Sequence, residues 1–93
     1  MNITITKPAL QHFQSDWNFR SGDTVRIFPR YGGLGKNAFS LGIRKDEPQE
    51  IGLEVTLDNI RFFIEKDDMW YLEEQDVKID FDEKIEEIVF PSA

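Results

Sequence analysis

The chain has 93 residues, no cysteine and one histidine, and its 18 acidic against 11 basic residues give a net charge of -7. That length makes a single small domain spanning residues 1–93. The missing cysteines exclude a disulfide-stapled fold and thiolate metal sites, and the acidic balance argues against a nucleic-acid partner, which needs clustered Lys and Arg.

Asn2 to Ile5 read as a short strand. Thr6 is placed to cap a helix that carries Pro8 in its first turn. Leu10, Phe13 and Trp17 recur at helical spacing with Ala9 beside them, so one apolar stripe is predicted. The helix should end near Trp17 or Asn18, ahead of the turn cluster Ser21-Gly22-Asp23. The period then switches to two. Val25 and Ile27 alternate with Arg26 and Phe28, and Phe39, Leu41 and Ile43 alternate with Ser40, Gly42 and Arg44. After a polar loop at Lys45–Glu50, Ile51, Leu53, Val55 and Leu57 alternate, and Asp58-Asn59 joins them to Ile60, Phe62 and Ile64 as a hairpin. Phe63 breaks that alternation, which predicts a strand covered on both faces. Asp67–Leu72 reads equally as a helical turn or a short strand. Val77, Ile79 and Phe81 form another strand, Asp82-Glu83-Lys84 a turn, and Ile88 with Phe90 the last strand before Pro91. The fold class expected is α+β, mainly β: a small sandwich or half-barrel of about six to seven short strands with one N-terminal helix packed on it.

No apolar run is long enough to span a membrane, and Met1-Asn2-Ile3-Thr4-Ile5-Thr6 lacks the basic-then-apolar order of a signal peptide. A soluble cytoplasmic protein is expected. The charge is uneven: Arg20, Arg26, Arg30, Lys36, Arg44 and Lys45 lie in the first half, and acids dominate the second. A solvated acidic surface explains this more simply than a docking face for a basic partner.

The segment Tyr31-Gly32-Gly33-Leu34-Gly35 sets bare backbone between two strands and is a candidate ligand or partner loop. It is no P-loop, because Arg30 stands at the first glycine position, Asn37 replaces the hydroxyl residue and a strand follows. A hairpin that needs glycine explains it as well as a ligand does. His12 has no histidine or cysteine partner and lies off the helix stripe, so a surface or boundary residue is expected. Asp80, Asp82 and Glu83 could offer oxygens to a hard cation, but a turn whose acids face water accounts for them. Trp70-Tyr71 sets two large aromatics beside acids; one ring in the core and one over its edge is the simpler account, and a partner surface the other.

The order of these motifs, strand, Thr-capped helix, Gly-Gly-x-Gly loop, then Ile79-Asp80-Phe81 and Asp82-Glu83-Lys84 before a closing strand, resembles the HesB/IscA-like family of A-type iron–sulfur carriers. It looks most similar to a short, cysteine-less HesB-like subgroup of Gram-positive bacteria. The resemblance implies a HesB-like fold and an association with iron–sulfur cluster assembly, with assembly proteins as partners. It does not carry the cluster site over. Leu34 stands where the family's loop cysteine would be and no Cys-Gly-Cys occurs, while such clusters are held by thiolates. The expectation is therefore a non-enzymatic protein with no catalytic residue, metal or cofactor of its own, not an autonomous cluster carrier. The alternative is a small binding module that uses Gly32–Gly35 and nearby aromatics to hold a ligand or peptide.

Overall fold

The computed structural model describes residues 2–31, 39–72 and 75–91, and the two periodicities of the sequence separate there into helix and strand. Strand β1 (Ile3–Ile5) leads into helix α1 (Lys7–Ser15). Thr6 is its N-cap, with extended backbone at φ -69° and ψ 158° and a side chain that accepts a hydrogen bond from the Ala9 N–H. Strands β2 (Thr24–Tyr31), β3 (Phe39–Lys45), β4 (Ile51–Leu57) and β5 (Ile60–Glu65) follow, then a 3-10 helix (Lys66–Leu72), β6 (Val77–Asp82) and β7 (Glu87–Val89). The α+β, mainly β class inferred from the sequence is the class observed.

The helix is shorter than the Leu10–Phe13–Trp17 stripe suggests. It stops at Ser15, and Asn18 at φ 58° turns the chain back. Trp17 therefore sits past the last helical turn. Its ring lies edge-on to Phe13 at 4.9 Å and to Phe19 at 5.7 Å, while Phe19 re-enters the core and stacks on Phe13 at 5.4 Å. The Asp58-Asn59 hairpin forms as expected. Both residues have positive φ (49° and 61°), the two-residue geometry whose twist matches that of the strands.

The strands form two mixed sheets, in the orders β3-β2-β5-β4 and β1-β6-β7. In the larger, β2 pairs antiparallel with β3 and parallel with β5, and β4 pairs antiparallel with β5. In the smaller, β1 runs parallel to β6, with Ile3 opposite Val77, and β7 returns antiparallel to β6. The main core lies between the sheets and under α1. Ala9, Phe13, Val25, Ile27, Ile60, Phe62 and Ile79 are fully buried there. Burying that much aliphatic and aromatic surface, at about 25 cal/mol per Å2, is the main force holding the layers.

The larger sheet is also covered on its outer face, as Phe63 predicts. Phe62 points to the main core and Phe63 is fully buried on the other side, beneath the 3-10 helix that packs across β4, β5 and β2. This helix resolves the ambiguity at Asp67–Leu72. Its close approach needs Gly52, which sits at the register shift between Ile51 and Leu53: a β-carbon there would lie 2.6 Å from Met69 Cγ and 3.0 Å from the Lys66 backbone. At the rim of the same face Glu65 is buried, and its two carboxylate oxygens accept the backbone N–H groups of Gln49 and Glu50 at 2.7 and 2.8 Å.

Those two bonds hold the Glu65 carboxyl below the usual carboxylate range, with the charge of Arg26 as a smaller contribution. A folded-state pKa below the unfolded one means that the stabilisation is complete above the ordinary glutamate value and fades as pH falls through the lowered one. Glu65→Gln should therefore lower stability at neutral pH and flatten its pH dependence below about pH 4.3. Urea unfolding of both proteins at several pH values checks this.

Candidate functional site

Three elements meet at an open groove of about 420 Å3. One wall is the edge of the larger sheet: Leu41, Gly42 and Ile43 of β3 with Arg30 of β2. The opposite wall is β7 and its flanks, through Glu86, Glu87, Ile88 and Phe90, and His12 and Trp17 of the α1 region close the third side.

Helix α1 is set in place by one hydroxyl. Thr6 Oγ1, which accepts from the Ala9 N–H, donates to Asp80 Oδ1 at 2.7 Å, and the Thr6 N–H donates to the Ile79 carbonyl at 3.0 Å. Asp80 also accepts from the Phe81 N–H at 2.8 Å. The Thr6 hydroxyl and then the Phe81 amide keep the Asp80 carboxyl below its ordinary range, so it stays an acceptor. With α1 pinned to β6, His12 stacks on Phe81 at 4.3 Å and 27°, with its Nδ1 3.5 Å from Asp16 Oδ2. His12 is thus the boundary residue its position on the helix suggests, and it is part of the groove.

On the outer face of β2 and β3, Phe28 lies over Gly42, where a β-carbon would sit 2.5 Å from Phe28 Cζ. The guanidinium groups of Arg44 and Arg26 lie 4.8 and 5.7 Å from the centre of that ring. Arg26 is held further by Asp68 at 2.7 Å and Asp46 at 3.7 Å, and Arg44 by Asp46 at 3.2 Å. The groove lining itself is apolar in its middle, acidic along β7 and basic at Arg30. It brings no nucleophile together with a base, and no group of three or more acids or histidines close enough to hold a metal occurs among the described residues. Such a site suits recognition of a chain or side chain.

Most of these residues were not singled out from the sequence. The usable signal was Phe39 to Ile43, five residues of strand with no charge or proline to guard an edge. Of the sequence candidates, Tyr31 ends β2 opposite Phe39, and Gly32, Gly33, Leu34 and Gly35 lie outside the described residues. Trp70 and Tyr71 fall in the 3-10 helix, whose Leu72 belongs to the main core and whose Met69 and Tyr71 pack against it. Trp70 is 53% exposed, Tyr71 is half-buried against the core, and the rings meet edge-on at 5.9 Å. The structure does not bring them to the groove. No helix among the described residues is long and apolar enough to cross a membrane.

No family model matches the chain, and no solved structure matches it. Over 92 residues it is 44% identical to a protein of Bacillus subtilis named pyruvate dehydrogenase inhibitor, covering 97% of both chains. It is 34% identical over 95 residues to an uncharacterized protein of Staphylococcus saprophyticus, again over 97% of both, and 30% identical over 93 residues to one of Staphylococcus haemolyticus. These findings overturn the HesB/IscA-like resemblance, and with it the link to iron–sulfur cluster assembly and the expectation of assembly proteins as partners. The structure shows why the motif misled. Ile79 is core, Asp80 fastens Thr6, and Phe81 supports His12, so Ile-Asp-Phe is what the packing requires and carries no information about a cluster.

The Gly42 position should be sensitive. Gly42→Val should force the Phe28 ring aside and cost about 1–3 kcal/mol. Most of that cost should vanish in a Phe28→Ala background, as a double-mutant cycle by urea unfolding will show.

Proposed function

The chain belongs to the family of the Bacillus subtilis pyruvate dehydrogenase inhibitor, and we propose that it is itself a protein inhibitor of a pyruvate dehydrogenase, acting by contact and not by catalysis. One observation carries this reading: the 44% identity extends over 97% of both chains, so the likeness covers the core and the surface together. The site chemistry supports it. An inhibitor needs a shaped, charged and partly apolar surface, and the groove between β3 and β7 has these properties. A chain with one histidine and no cysteine, whose histidine is stacked on Phe81 and set beside Asp16, has little with which to run a reaction.

On this reading the partner is the dehydrogenase in place of an assembly protein. The protein works where that enzyme works, in the cytoplasm, and needs no cofactor. The small-module alternative rested on Gly32–Gly35, which lie outside the described residues, and a module that holds the enzyme takes its place. Its mechanism is binding energy alone, so inhibition should be saturable, reversible and set by the ratio of inhibitor to enzyme.

The test is a titration of purified protein into a pyruvate dehydrogenase assay that follows pyruvate-dependent NADH formation. The rate should fall to a plateau at stoichiometric binding and recover when the inhibitor is diluted away. A rate unchanged by a large molar excess would remove the proposal.

A further inference from the structure

We propose that the groove between β3 and β7 docks an extended segment of the partner enzyme, which adds to the open edge of β3 as one more strand. The inference rests on the inhibitor reading and names the surface and the kind of segment it takes.

The first support is the edge. β3 ends its sheet, and among the described residues no backbone group other than those of β2 pairs with it. A sheet edge carries a row of N–H and C=O groups that an incoming strand can satisfy. Soluble proteins guard such edges with charge, proline or a bulge, and from Phe39 to Ile43 this strand has none of them. Arg44 and Lys45 come only at its end, where Lys45 is drawn inward to Asp23 at 3.2 Å and to the Asn18 carbonyl at 3.1 Å.

The second support is what faces that edge. β7 ends the other sheet and stands across the groove, so an added strand would lie between two walls. Its side chains would alternate between two environments. Those pointing inward would meet Leu41, Ile43 and Ile88 and, at the rim, the exposed carboxylates of Glu86 and Glu87. Those pointing outward would lie beside Arg30 and Arg44, the latter shared with Asp46. Charge complementarity then defines the occupant: a polypeptide segment in extended form, apolar or basic at inward positions and acidic at outward ones. Ile85, 56% exposed in the turn just before Glu86, adds apolar surface at the same rim. Trp70, 53% exposed in the 3-10 helix, lies outside the groove lining.

The test combines hydrogen–deuterium exchange on the full chain, alone and with purified pyruvate dehydrogenase, with affinity measurements on variants. Binding should slow exchange at those amides of Leu41–Ile43 that face the open edge and not β2. The double reversal Glu86→Lys with Glu87→Lys, both exposed, should leave the melting temperature unchanged and weaken binding about tenfold, with a smaller effect at high salt. Trp70→Ala should bind as the unmodified chain does. Binding and inhibition without any change of exchange on β3 overturn the docking site and leave the inhibitor reading standing. So does protection confined to residues 66–72 with affinity lost in Trp70→Ala. Protection of β3 in the chain alone, at concentrations where it forms a dimer, assigns the edge to a second copy and likewise overturns the proposal. No binding by the unmodified chain overturns the inhibitor reading and the docking with it.

Discussion

The arrangement turns on the Thr6 hydroxyl. One oxygen accepts from the first turn of α1 and donates to Asp80 on β6, so a single side chain both starts the helix and fastens it to the smaller sheet. Backbone bonds on either side, from Thr6 to Ile79 and from Val77 to Asn2, continue the β1–β6 pairing up to that point. A helix fixed in this way has one position and one rotation. Phe13 then enters the core against Phe19 and Phe62, His12 rests on Phe81, and the third side of the groove is placed relative to the other two. The hydroxyl is held by a carboxylate acceptor, and a hydrogen bond to a charged group is stronger than a neutral one.

The two faces of the larger sheet are used differently. The outer face is closed by charge as well as by packing. Arg26 binds Asp68 of the 3-10 helix, lies near Asp46 and faces Phe28, while Glu65 gathers the loop that leads into β4. The network joins β2, β5, the 3-10 helix and the β3–β4 connection, so together these contacts tie that connection and the 3-10 helix to the sheet. The inner face is closed by apolar contact, except at β3, where the core ends and the groove begins. The sheet is thus closed on one side and open along one edge.

The local features were legible in the sequence. Thr6 before Pro8 gave the helix start, Asp58-Asn59 gave the hairpin, and Phe63 beside Phe62 announced a strand covered on both faces. Each of these depends on neighbours within a few residues. What was not legible depends on residues far apart. Trp17 keeps the helical spacing, but Phe13 and Phe19 hold it outside the helix, and that needs the core to exist first. Glu65 reads as an ordinary polar strand end until the loop amides of Gln49 and Glu50 reach it. The groove joins residues 12, 43 and 88, and no window on the chain contains all of them. The HesB/IscA-like resemblance failed for a related reason. Its motifs are short stretches that many packed β structures would call for, so they carry little family information.

The parallel pairing of Ile3 with Val77 has a consequence for how the molecule comes into being. The larger sheet is built from one continuous stretch between Thr24 and Glu65, and its hairpins close over short loops. The first strand must wait for a partner more than seventy positions away, and closing so long a loop is slow because its entropy is lost before any contact offsets it. The shorter-range pairings of the larger sheet therefore favour its forming before β1 and β6 join and bring β7 across the groove. In that interval the bare edge of β3 has no opposing wall, and it is then most open to pairing with the wrong chain.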